Sequence, residues 1–330
     1  MPLPSLPVTV PGKLFLLGEY AVLAGAPALL TTVDRRVSVT PRHDRRGYEV
    51  RGASFQDPLE LPLLVQQVLD DTLDRRVDLN HLTADLSEFY HQGAKLGLGS
   101  SAASTVALVS SVAPDLTPTE RFTLSWKIHH LLQGKIGSGA DIAASTFGGL
   151  IAYELHRDAQ QPPFQDLQLP QRQHNLEMTP AHLADIGSLP SLPDSLRLDA
   201  IWTGTPASSV SFISGLQSAF NDHLPSIRSV FHDLHDASEA GLQALVDGDP
   251  QSLLDAFSAA DQAMEDLGET ASLPIITDAH RRIRALAHTT RSVAKPSGAG
   301  GGDFSLLLGP RDAPIPAPIE DQFLVLPVFP

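Results

Sequence analysis

The stretch Lys95 to Ser104 reads KLGLGSSAAS, with Gly97 and Gly99 ahead of Ser100 and Ser101. An apolar run from about Ala102 to Val112 predicts a helix behind them. Glycine lets a ligand approach the backbone closely. Free N–H groups at a helix N-terminus, with the positive end of the helix dipole, attract phosphate. The serine hydroxyls add hydrogen bonds to phosphate oxygens or a metal ligand, and Lys95 adds charge. The segment therefore reads as a phosphate cradle. It is not a Walker A loop, since GxxxxGK[ST] is absent. A Gly/Ser turn capping a buried helix has the same local pattern.

Three more segments carry candidate chemistry. Asp141 follows Gly-Ser-Gly at a predicted helix start, as a carboxylate held by the helix dipole or as a general base. Val293 to Leu308, VAKPSGAGGGDFSLLL, has too many glycines for a helix or strand interior and predicts an anion-facing loop between two strands. Near the start, Pro11 to Tyr20 reads PGKLFLLGEY, with Lys13 at a strand start. The chain has only five lysines, Lys13, Lys95, Lys127, Lys135 and Lys295, and all but Lys127 lie in or beside these glycine-rich segments. A compact point charge in place of arginine's planar fork suits such positions. His232, His235, His280 and His288 fall on predicted helices without metal-ligand spacing.

Strand candidates are Val8–Val10, Leu14–Leu17, Arg35–Thr40, Tyr48–Arg51, Leu79–Leu86, Leu150–Tyr153, Asp199–Thr203 and Phe323–Phe329. Helical spacing covers Pro62–Leu73, the run after the Thr117-Pro118-Thr119-Glu120 capping box, Ile142–Phe147, Pro225–Val246, Asp249–Leu267 and Pro274–Ala287, and a further helix starts within Thr205–Gln217. Arg157 to Leu196, rich in Pro, Gln and Asp, predicts the domain connection. The 330 residues suit one large or two modest domains. With 42% hydrophobic residues a core is ample, and the absence of cysteine excludes disulfides and thiolate metal sites. A net charge of -15 argues against a nucleic-acid surface, so an anionic substrate needs a local positive site. No apolar run approaches the ~20 residues of a membrane span. MPLPSLPVTV lacks the basic and apolar regions of a signal peptide, and a cytoplasmic location is expected.

PGKLFLLGEY, GLGSSAAS and KPSGAGGGD in this order resemble the GHMP kinase superfamily over essentially the whole chain. Within it, GEYAVL at Gly18–Leu23, Lys95 before the cradle, QGKIGSGADIAAS at Gln133–Ser145 and WTGTPASS at Trp202–Ser209 are similar to the phosphomevalonate kinase group. Mevalonate kinases carry a magnesium-binding Glu eleven residues before the catalytic Asp, where this chain has His130. The resemblance implies an α+β fold of two domains. Residues 1–160 would form an ATP-binding β/α domain with a left-over-right βαβ-type core, and 161–330 a ferredoxin-like domain, with the active site in the cleft between them.

It also implies transfer of the ATP γ-phosphate to 5-phosphomevalonate, with Mg²⁺, in a monomer or homodimer. Gly97, Leu98, Gly99, Ser100, Ser101, Ala102 and Ala103 would hold the ATP phosphates, and Ser101 would reach the metal. Lys13 and Asp141 would be catalytic, and Lys95, Glu19, Tyr20, Ser297, Gly298 and Ala299 would contact the acceptor. A mevalonate kinase or another small-molecule GHMP kinase is the neighbouring reading; Gln133, His130 and the Trp202 segment speak against it. A non-catalytic ligand sensor of the same fold is a third, against which the retention of Lys13, Asp141 and all three loops speaks.

Overall fold

The computed structural model describes residues 7–42, 47–52, 60–73, 79, 81–134, 137–170, 176–181 and 183–328. Lys135 and parts of two predicted strands, Asn80 and Phe329, lie outside the described residues. The first half of the chain runs β1 (Val8–Leu17), β2 (Ala28–Pro41), β3 (Glu49–Arg51), α1 (Glu60–Leu73), β4 (Leu82–Asp85), β5 (Tyr90–His91), β6 (Ala94–Lys95), α2 (Ser100–Val112), α3 (Pro118–Leu132), α4 (Ala140–Phe147) and β7 (Leu150–Leu155). There follow β8 (Thr179–Ala181), β9 (Ala184–Ser188), β10 (Leu196–Trp202), α5 (Ser209–Asp247), α6 (Pro250–Ala271), α7 (Asp278–Ala287), β11 (Val293–Ser297), β12 (Phe304–Pro310), α8 (Ala317–Glu320) and β13 (Leu324–Pro327).

Two compact units emerge, and each is discontinuous: residues 1–13 with 32–149, and 14–31 with 150–330. The division falls inside β1 and β2. In the first unit, Ser38–Pro41 of β2 pairs antiparallel with β4, and β3 adds parallel to β4. Helices α1, α3 and α4 all pack on α2. That helix is central because its side chains are small and apolar nearly all round: Ala102, Ala103, Val106, Ala107, Leu108 and Val109 are buried. The Thr117 capping box opens α3 as its sequence predicts, with Thr117 Oγ1 accepting from the Glu120 amide and Glu120 accepting from the Thr117 amide.

In the second unit, Ala28–Thr31 of β2 pairs with β7, followed by β9 and β8. Strands β11, β12, β10 and β13 form a separate four-stranded antiparallel sheet in that order. The split β10–helices–β11–β12–α8–β13 connection gives the expected ferredoxin-like arrangement. Ile201, Ala294 and Leu307 from this sheet bury against Ile283 and Ala287 of α7 and Ile319 of α8.

Local differences from the sequence expectation have physical causes. Val8–Val10 and Leu14–Leu17 are one strand, because burial alternates straight through Pro11–Gly12. The helix expected to start within Thr205–Gln217 begins at Ser209 and runs on through the stretch expected from Pro225 as one element, α5. It passes a kink at His223 (φ −130°, ψ 17°), where Pro225 cannot continue regular helix hydrogen bonding. The start of α7 moves from Pro274 to Asp278, because Thr277 and His280 form a capping box there.

Candidate active site

Gly99 is the N-cap of α2, in the left-handed region at φ 76° and ψ 35°, with no side-chain cap on the helix. The helix starts at Ser100, two residues earlier than its apolar pattern implied. The Ala103 amide is already committed to the helix, donating to Gly99 O at 3.0 Å. The amides before it are the ones a helix cannot satisfy internally. Lys13 lies against this turn: its amide donates to Leu98 O at 2.9 Å. A Cβ on Gly99 would stand 3.1 Å from Lys13 Cγ and Cε, so the lysine stem runs along the glycine. Of the two loop serines, Ser100 is buried and Ser101 half-buried, which leaves Ser101 the more accessible hydroxyl. The Ser104 hydroxyl, one turn on, is buried without a hydrogen-bond partner.

Asp141 sits in the first turn of α4, whose N-cap Gly139 is also left-handed at φ 80° and ψ 5° and carries no side-chain cap. Asp141 Oδ1 accepts from the Ile142 amide at 3.0 Å. Its other oxygen, Oδ2, lies 4.0 Å from His129 Nε2. His129 is buried; burial pushes its pKa below the ordinary range, Asp141 pulls it back, and Lys95 adds to the lowering. Lys95 itself is exposed, in β6 opposite Tyr90. Trp126 on α3 braces the turn before Asp141. Its ring leaves no room for a Cβ on Gly139, which would stand 2.1 Å from Trp126 Cδ1. His130 also meets Trp126, stacking on the ring with centroids 4.4 Å apart. Ser145 Oγ of α4 donates to Pro11 O of β1 at 3.2 Å, so the elements bearing Asp141 and Lys13 touch within this unit. Sequence reasoning singled out His130 and missed His129; only helical phase, one residue apart, separates them.

The third glycine-rich loop belongs to the second unit, where it is anchored to residues 15–20. Ser297 Oγ accepts from the Phe15 amide at 3.0 Å and donates to Phe15 O at 2.9 Å. The Gly298 amide donates to Glu19 Oε1 at 3.4 Å, and the Tyr20 hydroxyl donates to Ala299 O. Burial pushes the Tyr20 phenol far above its ordinary range, with Glu19 adding to the effect. Lys295 is no surface cation: its Nζ donates to Glu19 Oε1 at 2.5 Å and to Pro296 O at 2.6 Å. On the far side of the loop, the Asp303 amide donates to Thr205 O at 2.7 Å and Asp303 Oδ1 accepts from the Ala207 amide at 2.9 Å. The WTGTPASS segment is thus the loop's structural partner, a role that its sequence alone did not disclose.

Among the described residues, no group of three or more His, Asp or Glu side chains is arranged to hold a metal ion. No described helix is long and apolar enough to cross a membrane.

The pattern of the GHMP kinases N terminal domain matches residues 65–149. The phosphomevalonate kinase of Streptomyces sp. (strain CL190) is 33% identical to this chain, covering 90% of it and 88% of the relative. A mevalonate kinase of Methanothermobacter thermautotrophicus is 31% identical, over only 46% of this chain and 52% of its own length. In fold, the chain is similar to Streptococcus pneumoniae phosphomevalonate kinase in complex with phosphomevalonate and AMPPNP. The TM-score is 0.74 at 21% identity, over 96% of this chain and 95% of that one.

Proposed function

The chain belongs to the GHMP kinase family, and from that premise we propose that it transfers the γ-phosphoryl group of ATP to 5-phosphomevalonate, giving 5-diphosphomevalonate and ADP. The observation that carries this reading is the 33% identity to a phosphomevalonate kinase across nine-tenths of the chain, in a protein whose α2 N-terminus is uncapped beside Lys13.

Transfer between two anions needs positioning and charge neutralisation more than covalent chemistry. The amides of residues 97–103 would hold the nucleotide phosphates, with Lys13 offering its ammonium beside them. Asp141 would orient the attacking phosphate oxygen of the acceptor. That oxygen is already ionised near neutral pH, so Asp141 has less proton to remove than in a kinase acting on an alcohol. Lys95 would meet the acceptor phosphate, and the loop Ser297–Ala299, held by Glu19 and Tyr20, would offer the acceptor its amides. In this reading residues 1–160 serve the nucleotide and 161–330 supply the third loop.

The donor set suits Mg²⁺, which keeps several waters and takes few protein ligands. Ser101 supplies one accessible hydroxyl, and no multi-carboxylate cage exists among the described residues. The ion, when bound, would neutralise phosphate charge. A cytoplasmic location accords with such soluble substrates.

The test is a coupled ADP-release assay with ATP and Mg²⁺, comparing 5-phosphomevalonate with mevalonate. Turnover with 5-phosphomevalonate alone is expected. Turnover with mevalonate instead overturns the acceptor assignment, and silence with both, in a folded protein that binds ATP, overturns it in favour of a different acceptor or a ligand sensor.

A further inference from the structure

Lys295 and Glu19 form a fully buried pair, with side chains 0% and 1% exposed, joined across 276 residues of sequence. Burying two charges is expensive, and such a pair contributes little net stability compared with a well-packed apolar pair. Its neighbourhood is charged as well. Arg284 binds Asp261 and Glu265 at 2.6 Å each, and the Lys295 ammonium lies 5.8 Å from the Phe257 ring centroid. What the pair does locally is specific. Glu19 Oε1 accepts from both the ammonium and the Gly298 amide, while the same ammonium also holds Pro296 O. The two side chains thereby tie both ends of the Pro296–Gly298 turn to one point. Tyr20, next to Glu19, takes a positive-φ backbone (φ 59°, ψ −51°) as its hydroxyl reaches Ala299 O. A non-glycine residue in that region is strained unless its surroundings over-determine it.

We infer that Glu19 and Lys295 are positioning residues for the third loop: they set the direction of its amides toward the acceptor's anionic group and do not themselves contact substrate. The inference rests on the kinase reading for its substrate but not for its geometry. A buried pair of this kind acts as a register pin. Either partner alone is an uncompensated charge, and the removal of both leaves the loop without its anchor.

The test uses Glu19→Gln, Lys295→Met and the double variant, which buries no lone charge and keeps the inference falsifiable if a single variant fails to fold. Amide hydrogen exchange of the 293–304 segment is expected to rise at least tenfold in each folded variant, with α2 and α4 unchanged. In steady-state assays kcat/KM for 5-phosphomevalonate is expected to fall at least tenfold. Binding of a non-hydrolysable ATP analogue should stay within twofold, and the double variant should be no worse than the poorer single one. Unchanged loop exchange in the folded double variant overturns the inference, as do losses that multiply between the two sites or ATP-analogue binding that falls in parallel. If the wild-type enzyme does not use 5-phosphomevalonate, the exchange measurement still decides, so failure of the functional reading is seen separately.

Discussion

His129 Nε2 lies 4.0 Å from Asp141 Oδ2, the one a buried ring on α3 and the other a partly exposed carboxylate at the start of α4. The distance is beyond a direct hydrogen bond. Burial pushes the His129 pKa below its ordinary range, which keeps the ring neutral at neutral pH. Asp141 is therefore backed by a neutral polar wall, with its charge available to the solvent side. Two left-handed glycines, Gly99 and Gly139, open two helices in the same unit as Lys13.

Replacing Asp141 by Asn keeps size and shape and removes the charge. We expect kcat to fall by roughly 10²-fold or more, the scale of a positioned proton-handling group. The thermal unfolding midpoint should move little. Turnover near that of the wild type would remove Asp141 from the chemistry.

Lys95 is exposed and close enough to His129 to depress its pKa. Lys95→Ala should raise KM for 5-phosphomevalonate by about tenfold, the loss of roughly one charge-assisted hydrogen bond, while ATP-analogue affinity changes far less. Calorimetric titration of each ligand separates the two. Equal losses would assign Lys95 to the nucleotide.

Gly139 and Gly248 are both left-handed, at φ 80° and 68°, yet of the two only Gly139 faces a ring. An added Cβ would stand 2.1 Å from Trp126 Cδ1 at Gly139 and would meet nothing within 4 Å at Gly248. Gly248→Ala should lose only the backbone term, about 1 kcal/mol. Gly139→Ala adds displacement of Trp126 and should lose about 2 kcal/mol or more. Urea denaturation of the two variants measures the gap, and equal losses would show that Trp126 yields freely.

His280 is buried in the α7 capping box, and burial, with the charges of Arg284 and Lys295, pushes its pKa down to about 4. The folded chain thus prefers the neutral ring. The stabilisation is complete above pH ~6.5 and is lost as pH falls from there toward 4, since the unfolded chain takes up the proton first. Glutamine also serves at this capping position. His280→Gln should therefore flatten the acid limb of unfolding free energy against pH by roughly 3 kcal/mol. Asp261 runs the other way: burial raises its pKa to about 6, so its contribution is present at low pH and fades as pH rises through that value. The difference between wild type and His280→Gln isolates the histidine. An unaltered acid limb would mean the ring is solvated in the native state.

Much of this protein is written locally. The Thr117 capping box, the glycine turn ahead of α2 and the Gly-Ser-Gly before Asp141 depend on residues within four positions of one another, and backbone sterics and helix ends act over that range. Pattern likewise showed three glycine-rich loops, and their resemblance to the GHMP kinases implied the α+β fold.

Tertiary structure decided the rest. Sequence spacing treats Lys295 like the other lysines beside glycine loops, but folding buries it against Glu19, far away in sequence. It chooses His129 over His130 to back Asp141, through the phase at which α3 packs, and turns His130 onto Trp126. It makes Asp303 the anchor of the Thr205–Ala207 turn. Electrostatic and packing energies depend on distance in space and on exclusion of water, and neither is encoded in any short window of residues.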